Sequence, residues 1–144
     1  MKKYFYLLFI SILSCNADFQ LQEGDLLFQD LDSSPLCDAI ELVTPGYKGA
    51  NFSHIGLIVS DDGKLKVLEA IPPEIILSEI NDFLNRSFDE DGKPKVIVGR
   101  LKNQHKNSIP SAISFAKKQL GVKYDDVFLI ENNSYYCSEL IYEA

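Results

Sequence analysis

Two aliphatic runs, Phe52 to Val59 and Lys64 to Ile71, stand on either side of Asp61-Asp62-Gly63. Acidic residues followed by glycine between two such runs are a strong hairpin signal, because the tight connecting turn needs backbone angles that aspartate and glycine adopt at little cost. The chain is thereby committed to antiparallel pairing near its middle. Pro72-Pro73 closes the second strand, since proline cannot donate to a ladder. Side chains alternate along a strand, so Leu65, Val67, Glu69 and Ile71 share one face. Glu69 interrupts an otherwise apolar row. With Asp61 and Asp62 as the loop residues, Ser60 faces Gly63 and His54 comes opposite Glu69. A different loop would shift the pairing, and a shift of one residue would send the two side chains to opposite faces. A buried carboxylate is costly unless paired, and an imidazole would satisfy it. The other readings are a histidine satisfied locally by Asn51 and Ser53, and a glutamate reaching solvent before Pro72.

The flanking segments supply further elements. Gly24 to Gln29 reads as a strand, and Ser33-Ser34-Pro35 as a helix start, with Leu36, Ile40 and Val43 at helical spacing and Pro45-Gly46 as its end. A short helix is expected around Leu77 to Leu84, a loop over Asp89 to Pro94, and a strand over Lys95 to Leu101. Ile109, Ile113, Ala116 and Leu120 form one stripe of a helix that Gly121 stops. The pattern is α+β with a small antiparallel sheet flanked by helices.

At 144 residues, 46% of them apolar, the chain can bury a real core. Its net charge of -7, with no basic run, argues against nucleic acid as a partner. Lys2 and Lys3 precede the apolar stretch Tyr4 to Leu13, whose ten residues are about half of what a spanning helix needs. Residues 1-17 therefore read as an export signal, leaving 18-144 as one folded domain, with the bacterial envelope or periplasm as the expected location. Ile12-Leu13-Ser14-Cys15 resembles a lipobox, in which Cys15 would be lipidated and attach the protein to a membrane; cleavage after Ala17 is the competing reading.

Ser134-Tyr135-Tyr136-Cys137-Ser138-Glu139-Leu140-Ile141 places a cysteine where an extended approach turns into an apolar-periodic helix. The positive end of a helix favours thiolate over thiol, and thiolate is the nucleophile. His54 is the candidate base for Cys137, and Glu69 the group that would orient His54. The alternative is a structural buried cysteine. A bridge between Cys137 and Cys37 stays open, although two cysteines do not suggest a disulfide scaffold. No Cys-x-x-Cys or His-x-x-x-His pair favours zinc, and no cofactor is called for. His105, in the polar segment Lys102 to Asn107, reads as solvated.

These residues resemble the circularly permuted papain-like amidases of the YaeF/YiiX type, relatives of the NlpC-type cell-wall peptidases. The resemblance runs through Gly24-Asp25-Leu26-Leu27-Phe28, Ile40-Glu41-Leu42-Val43-Thr44, Phe52-Ser53-His54-Ile55-Gly56-Leu57 and Val67-Leu68-Glu69-Ala70. It continues through Val98-Gly99-Arg100-Leu101, Ala116 to Gly121, Tyr124-Asp125 and Tyr136-Cys137-Ser138-Glu139-Leu140. It implies a half-barrel or small sheet with the cysteine helix packed on it, and a Cys137, His54, Glu69 triad. The reaction it implies is acyl transfer to Cys137 and hydrolysis of the thioester, with the Cys137 N–H as oxyanion donor and Tyr136 or Gln29 as assistants. The substrate would be a peptide or other amide of the envelope, or else an acyl ester or lipid. A silent module that binds such a ligand without turnover is the non-enzymatic alternative. The chain stops seven residues past Cys137, where family members usually continue, so two readings stand: a C-terminal truncation, or a nucleophile helix that ends unusually early.

Overall fold

The computed structural model describes residues 19–44, 46–130 and 132–144. The expected export signal with Cys15, and Pro45 of the expected helix end, lie outside the described residues. The elements in chain order are β1 (Leu26–Gln29), α1 (Pro35–Val43), β2 (His54–Asp61), β3 (Lys64–Ile71), β4 (Glu74–Ser78), α2 (Ile80–Leu84) and β5 (Val96–Gly99). A 3-10 turn (Asn103–Ser108), α3 (Ile109–Lys118) and α4 (Cys137–Glu143) follow. The strands form one antiparallel sheet in the order β4-β3-β2-β1-β5.

The predicted hairpin forms with a different loop. Asp61 pairs with Lys64, so the two loop residues are Asp62 and Gly63, both with positive φ of 48° and 78°. That is the turn whose twist matches paired strands, and glycine takes its second position without strain. Leu57 faces Leu68, and continuing this ladder puts Gly56, not His54, across from Glu69. The correction moves the pairing by an even number of residues, so His54 and Glu69 keep the same face and meet diagonally.

The expected helix around Leu77 to Leu84 is also corrected. Glu74–Ser78 is a strand, paired to β3 from Ile71↔Glu74 to Val67↔Ser78, and only Ile80–Leu84 is helical. Ile75, Ile76 and Leu77 suit a pleated surface, and Pro72-Pro73 serves as a turn between strands rather than an end to the sheet. The other predicted elements stand where expected. Ser34 caps α1 by accepting from the Cys37 N–H, with Pro35 in the first turn.

The sheet is covered on both faces. Leu57, Val59, Leu68, Ala70 and Ile75 pack with Ala116 of α3 and Leu140 of α4. Leu27, Ile58 and Val67 pack on Phe83 of α2 from the other side. Gly56 is needed here: a Cβ at that position would collide with Val67 Cγ1 and lie 3.1 Å from the Phe83 ring. The gap leaves Phe83 seated beside the imidazole, its ring centroid 5.7 Å from that of His54.

Candidate active site

β2 and α4 bring the site together. His54 is the first residue of β2, Cys137 the first residue of α4, and the two elements pack on each other. Both side chains line one cavity of about 370 Å³. Tyr136, extended at φ -89° and ψ 169°, precedes the helix and donates its N–H to Glu139 Oε2 at 3.4 Å. The first-turn N–H groups of Cys137 and Ser138 have no acceptor within the helix and are available to an oxyanion. The Cys137 thiol points to the Ser53 carbonyl at 4.0 Å. Cys37 and Cys137 are both free thiols, so the bridge left open by the sequence does not form.

His54 is 6% exposed and Glu69 is fully buried. His54 Nε2 lies 2.6 Å from Glu69 Oε2, which leaves Nδ1 as the nitrogen free to serve Cys137. Burial alone would push the imidazole down. The Glu69 carboxylate and the neighbouring Cys137 side chain more than offset this and raise it to about 9. Burial likewise pushes the Glu69 carboxyl up, but Arg86, His54 and Ser78 together hold it at about 2.

Arg86 is the site residue that sequence reasoning missed. Its Nη1 donates to Glu69 Oε2 and its Nη2 to Oε1, both at 2.6 Å, and Ser78 Oγ donates to Oε1. No spacing signal marks Arg86. A charge argument could have found it: a carboxylate buried in a sheet needs a cation, and the chain has two arginines, Arg86 and Arg100. The second serves buried Asp25 in the same bidentate manner.

Of the two suggested assistants, Tyr136 lines the cavity, its ring packed 5.3 Å from that of Phe128. Gln29 is corrected. It is fully buried, its Nε2 donates to the Phe83 carbonyl at 2.7 Å, and it does not line the cavity. Gln29 pairs with His54 across the ladder and shares its face, but its amide is spent on the Phe83 carbonyl rather than aimed into the cavity. The rest of the wall is apolar: Phe28, Phe52, Ile40, Ile55 and Phe128. Phe128 is held there by buried Asp125, whose carboxylate accepts the N–H groups of Val127 and Leu129 at 3.0 and 2.8 Å. His105 lies exposed in the 3-10 turn, away from the site.

The buried pair makes stability depend on pH. The raised His54 contributes stability that is complete below its unfolded value of 6.5 and is lost as pH rises through about 9. The depressed Glu69 contributes stability that is complete above 4.5 and is lost as pH falls through about 2. The melting temperature should therefore be highest between pH 4.5 and 6.5 and decline above it. The alkaline decline should flatten in His54→Gln; an equal slope in both proteins would assign it to other groups.

Because the histidine strand precedes the cysteine helix along the chain, the connectivity is that of a circularly permuted papain-like domain. The chain belongs to the family of permuted papain-like amidase enzymes of the YaeF/YiiX type, family C92, whose model matches residues 20–144. It is 30% identical over 142 residues to the uncharacterized protein YiiX of Escherichia coli K12, covering 96% of this chain and 65% of that protein. It is also similar to a crystal structure of YiiX from Escherichia coli O157:H7, described as a metalloprotein. There the TM-score is 0.66 at 28% identity, over 87% of this chain and 64% of the other. The chain thus spans just under two thirds of the length of these relatives.

Proposed function

We propose that this protein is an exported cysteine hydrolase that cleaves an amide bond through a thioester on Cys137. The observation that carries the reading is His54, buried between Cys137 and a carboxylate, in a cavity that both reacting side chains line. The thiol proton passes to Nδ1 before attack, giving a thiolate beside an imidazolium; Sγ then attacks the carbonyl carbon, and the oxyanion faces the Cys137 N–H. His54 then protonates the departing amine. Water gives a proton to the same nitrogen, attacks the thioester and releases the acid with the free thiol. An imidazole raised to about 9 carries a proton at neutral pH, the form needed to protonate a poor leaving group.

The YiiX crystal structure is described as that of a metalloprotein. Among the described residues of this chain, no group of three or more His, Cys, Asp or Glu side chains converges as a metal site would require. His54 Nε2 and Glu69 are engaged with each other. The steps above accordingly use protein groups.

Cell-wall peptides fit an exported amidase, with Lys2, Lys3 and the apolar run to Leu13 supporting export and Cys15 supporting attachment to a membrane. A second reading, an acyl ester or lipid substrate, is favoured by the cavity wall. Phe28 with Phe52 and Phe128 with Tyr136 form aromatic pairs at 5.4 and 5.3 Å that suit an apolar acyl group. The test is intact mass of the full chain after exposure to p-nitrophenyl acetate, p-nitrophenyl octanoate and an N-acyl p-nitroanilide. An acyl adduct on Cys137 that turns over is expected. Turnover of the anilide supports amide cleavage, and strong preference for the octanoate supports the acyl-ester reading. Absence of any Cys137 adduct would favour a silent binding module.

A further inference from the structure

We propose that Arg86 is a positioning residue that confines the proton exchange of His54 to Nδ1 by keeping Glu69 ionised. The inference rests on the proposed cysteine chemistry.

Both oxygens of Glu69 are fully engaged. Oε1 accepts from Ser78 Oγ and Arg86 Nη2, and Oε2 from His54 Nε2 and Arg86 Nη1. An ionised carboxylate only accepts, and these four donors meet its capacity. A protonated Glu69 would itself have to donate. The acceptors within reach would be the lone pair of Ser78 Oγ or a His54 Nε2 that had given up its own proton. In the second case the Nδ1 facing Cys137 becomes the protonated nitrogen of the neutral ring, and the base for the thiol is lost. Arg86 works against this state because a guanidinium keeps its charge and matches the carboxylate fork. Its own place is fixed by Phe83, the ring centroid lying 5.2 Å from the guanidinium carbon. Among the described residues, the charged or titratable groups around Glu69 are His54 from β2 and Arg86 beyond α2, with Cys137 of α4 coupled through the imidazole. Ser78 from β4 is neutral.

Removing Arg86 leaves the upward pull of burial on Glu69 opposed by His54 and Ser78 alone. Glu69 would then take up a proton at higher pH and weaken the imidazolium beside Cys137. The experiment is the rate of iodoacetamide alkylation of Cys137 in the full chain from pH 4 to 9, for wild type, Arg86→Met, Arg86→Lys and His54→Ala. In Arg86→Met the acid edge should move upward, lowering the rate on that edge about tenfold for each pH unit moved. Arg86→Lys, which keeps a charge without the fork, should restore most of the loss. A brace with no part in proton placement would lower the melting temperature and leave the profile superimposed on wild type, and that outcome overturns the proposal. Should Arg86→Met not fold, Arg86→Gln, which also removes the charge, takes its place, and an unshifted acid edge in that variant overturns the proposal equally. If His54→Ala leaves alkylation unchanged, the cysteine chemistry itself falls and this proposal with it. A collapse in His54→Ala with no response to either Arg86 variant removes this proposal alone.

Discussion

His54→Ala should slow acylation of Cys137 by an activated ester by about 10²–10⁴-fold at neutral pH, the range expected for loss of a general acid–base. The ring lines the same cavity as Cys137 and is itself held by a buried carboxylate. Its removal takes away the acceptor for the thiol proton and the donor for the leaving group together. The variant's rate should climb toward alkaline pH, where an unassisted thiol ionises by itself. Stopped-flow release of p-nitrophenol across pH measures both. A variant within about threefold of wild type at neutral pH would not fit a general acid–base role.

Glu69→Ala should carry the largest cost in stability. The substitution leaves a partly buried guanidinium with its carboxylate gone and a buried imidazole without its orienter. Breaking one side of a buried pair costs about 3–5 kcal/mol, and the lower end applies here because Arg86 is 23% exposed and water can reach it. Urea unfolding of Glu69→Ala, Arg86→Met and the two combined provides the cycle. The double variant should recover much of the loss, because no charge is then stranded. A single-variant cost below about 1 kcal/mol would mean that solvent already screens the pair.

The central pairing, and with it His54 beside Glu69, was legible because Asp-Gly turns and aliphatic runs act locally. The choice of loop was not, since Asp61-Asp62 and Asp62-Gly63 both read as turns and only the assembled strands decide between them. β4 was obscured for a related reason. Ile75 to Leu77 is a short apolar run that periodicity cannot assign, and its pairing with β3 settles it. Cys137 and His54 could be found from residue type and context, whereas Arg86 reaches Glu69 across 17 residues of sequence with no motif to announce it. Gln29 was misread because a polar side chain next to a site is not thereby in it. Its amide is committed to the Phe83 carbonyl, although it stands directly across from His54.

The wall formed by Phe128 hangs from Asp125 by two main-chain bonds, whereas the groups proposed to react stand on β2, β3 and α4. Exchanging residues along 126–130 would reshape what the cavity admits and leave the atoms that react in register. A lineage built on this plan could change diet without relearning its chemistry, and the place to look for such divergence is that loop rather than the sheet.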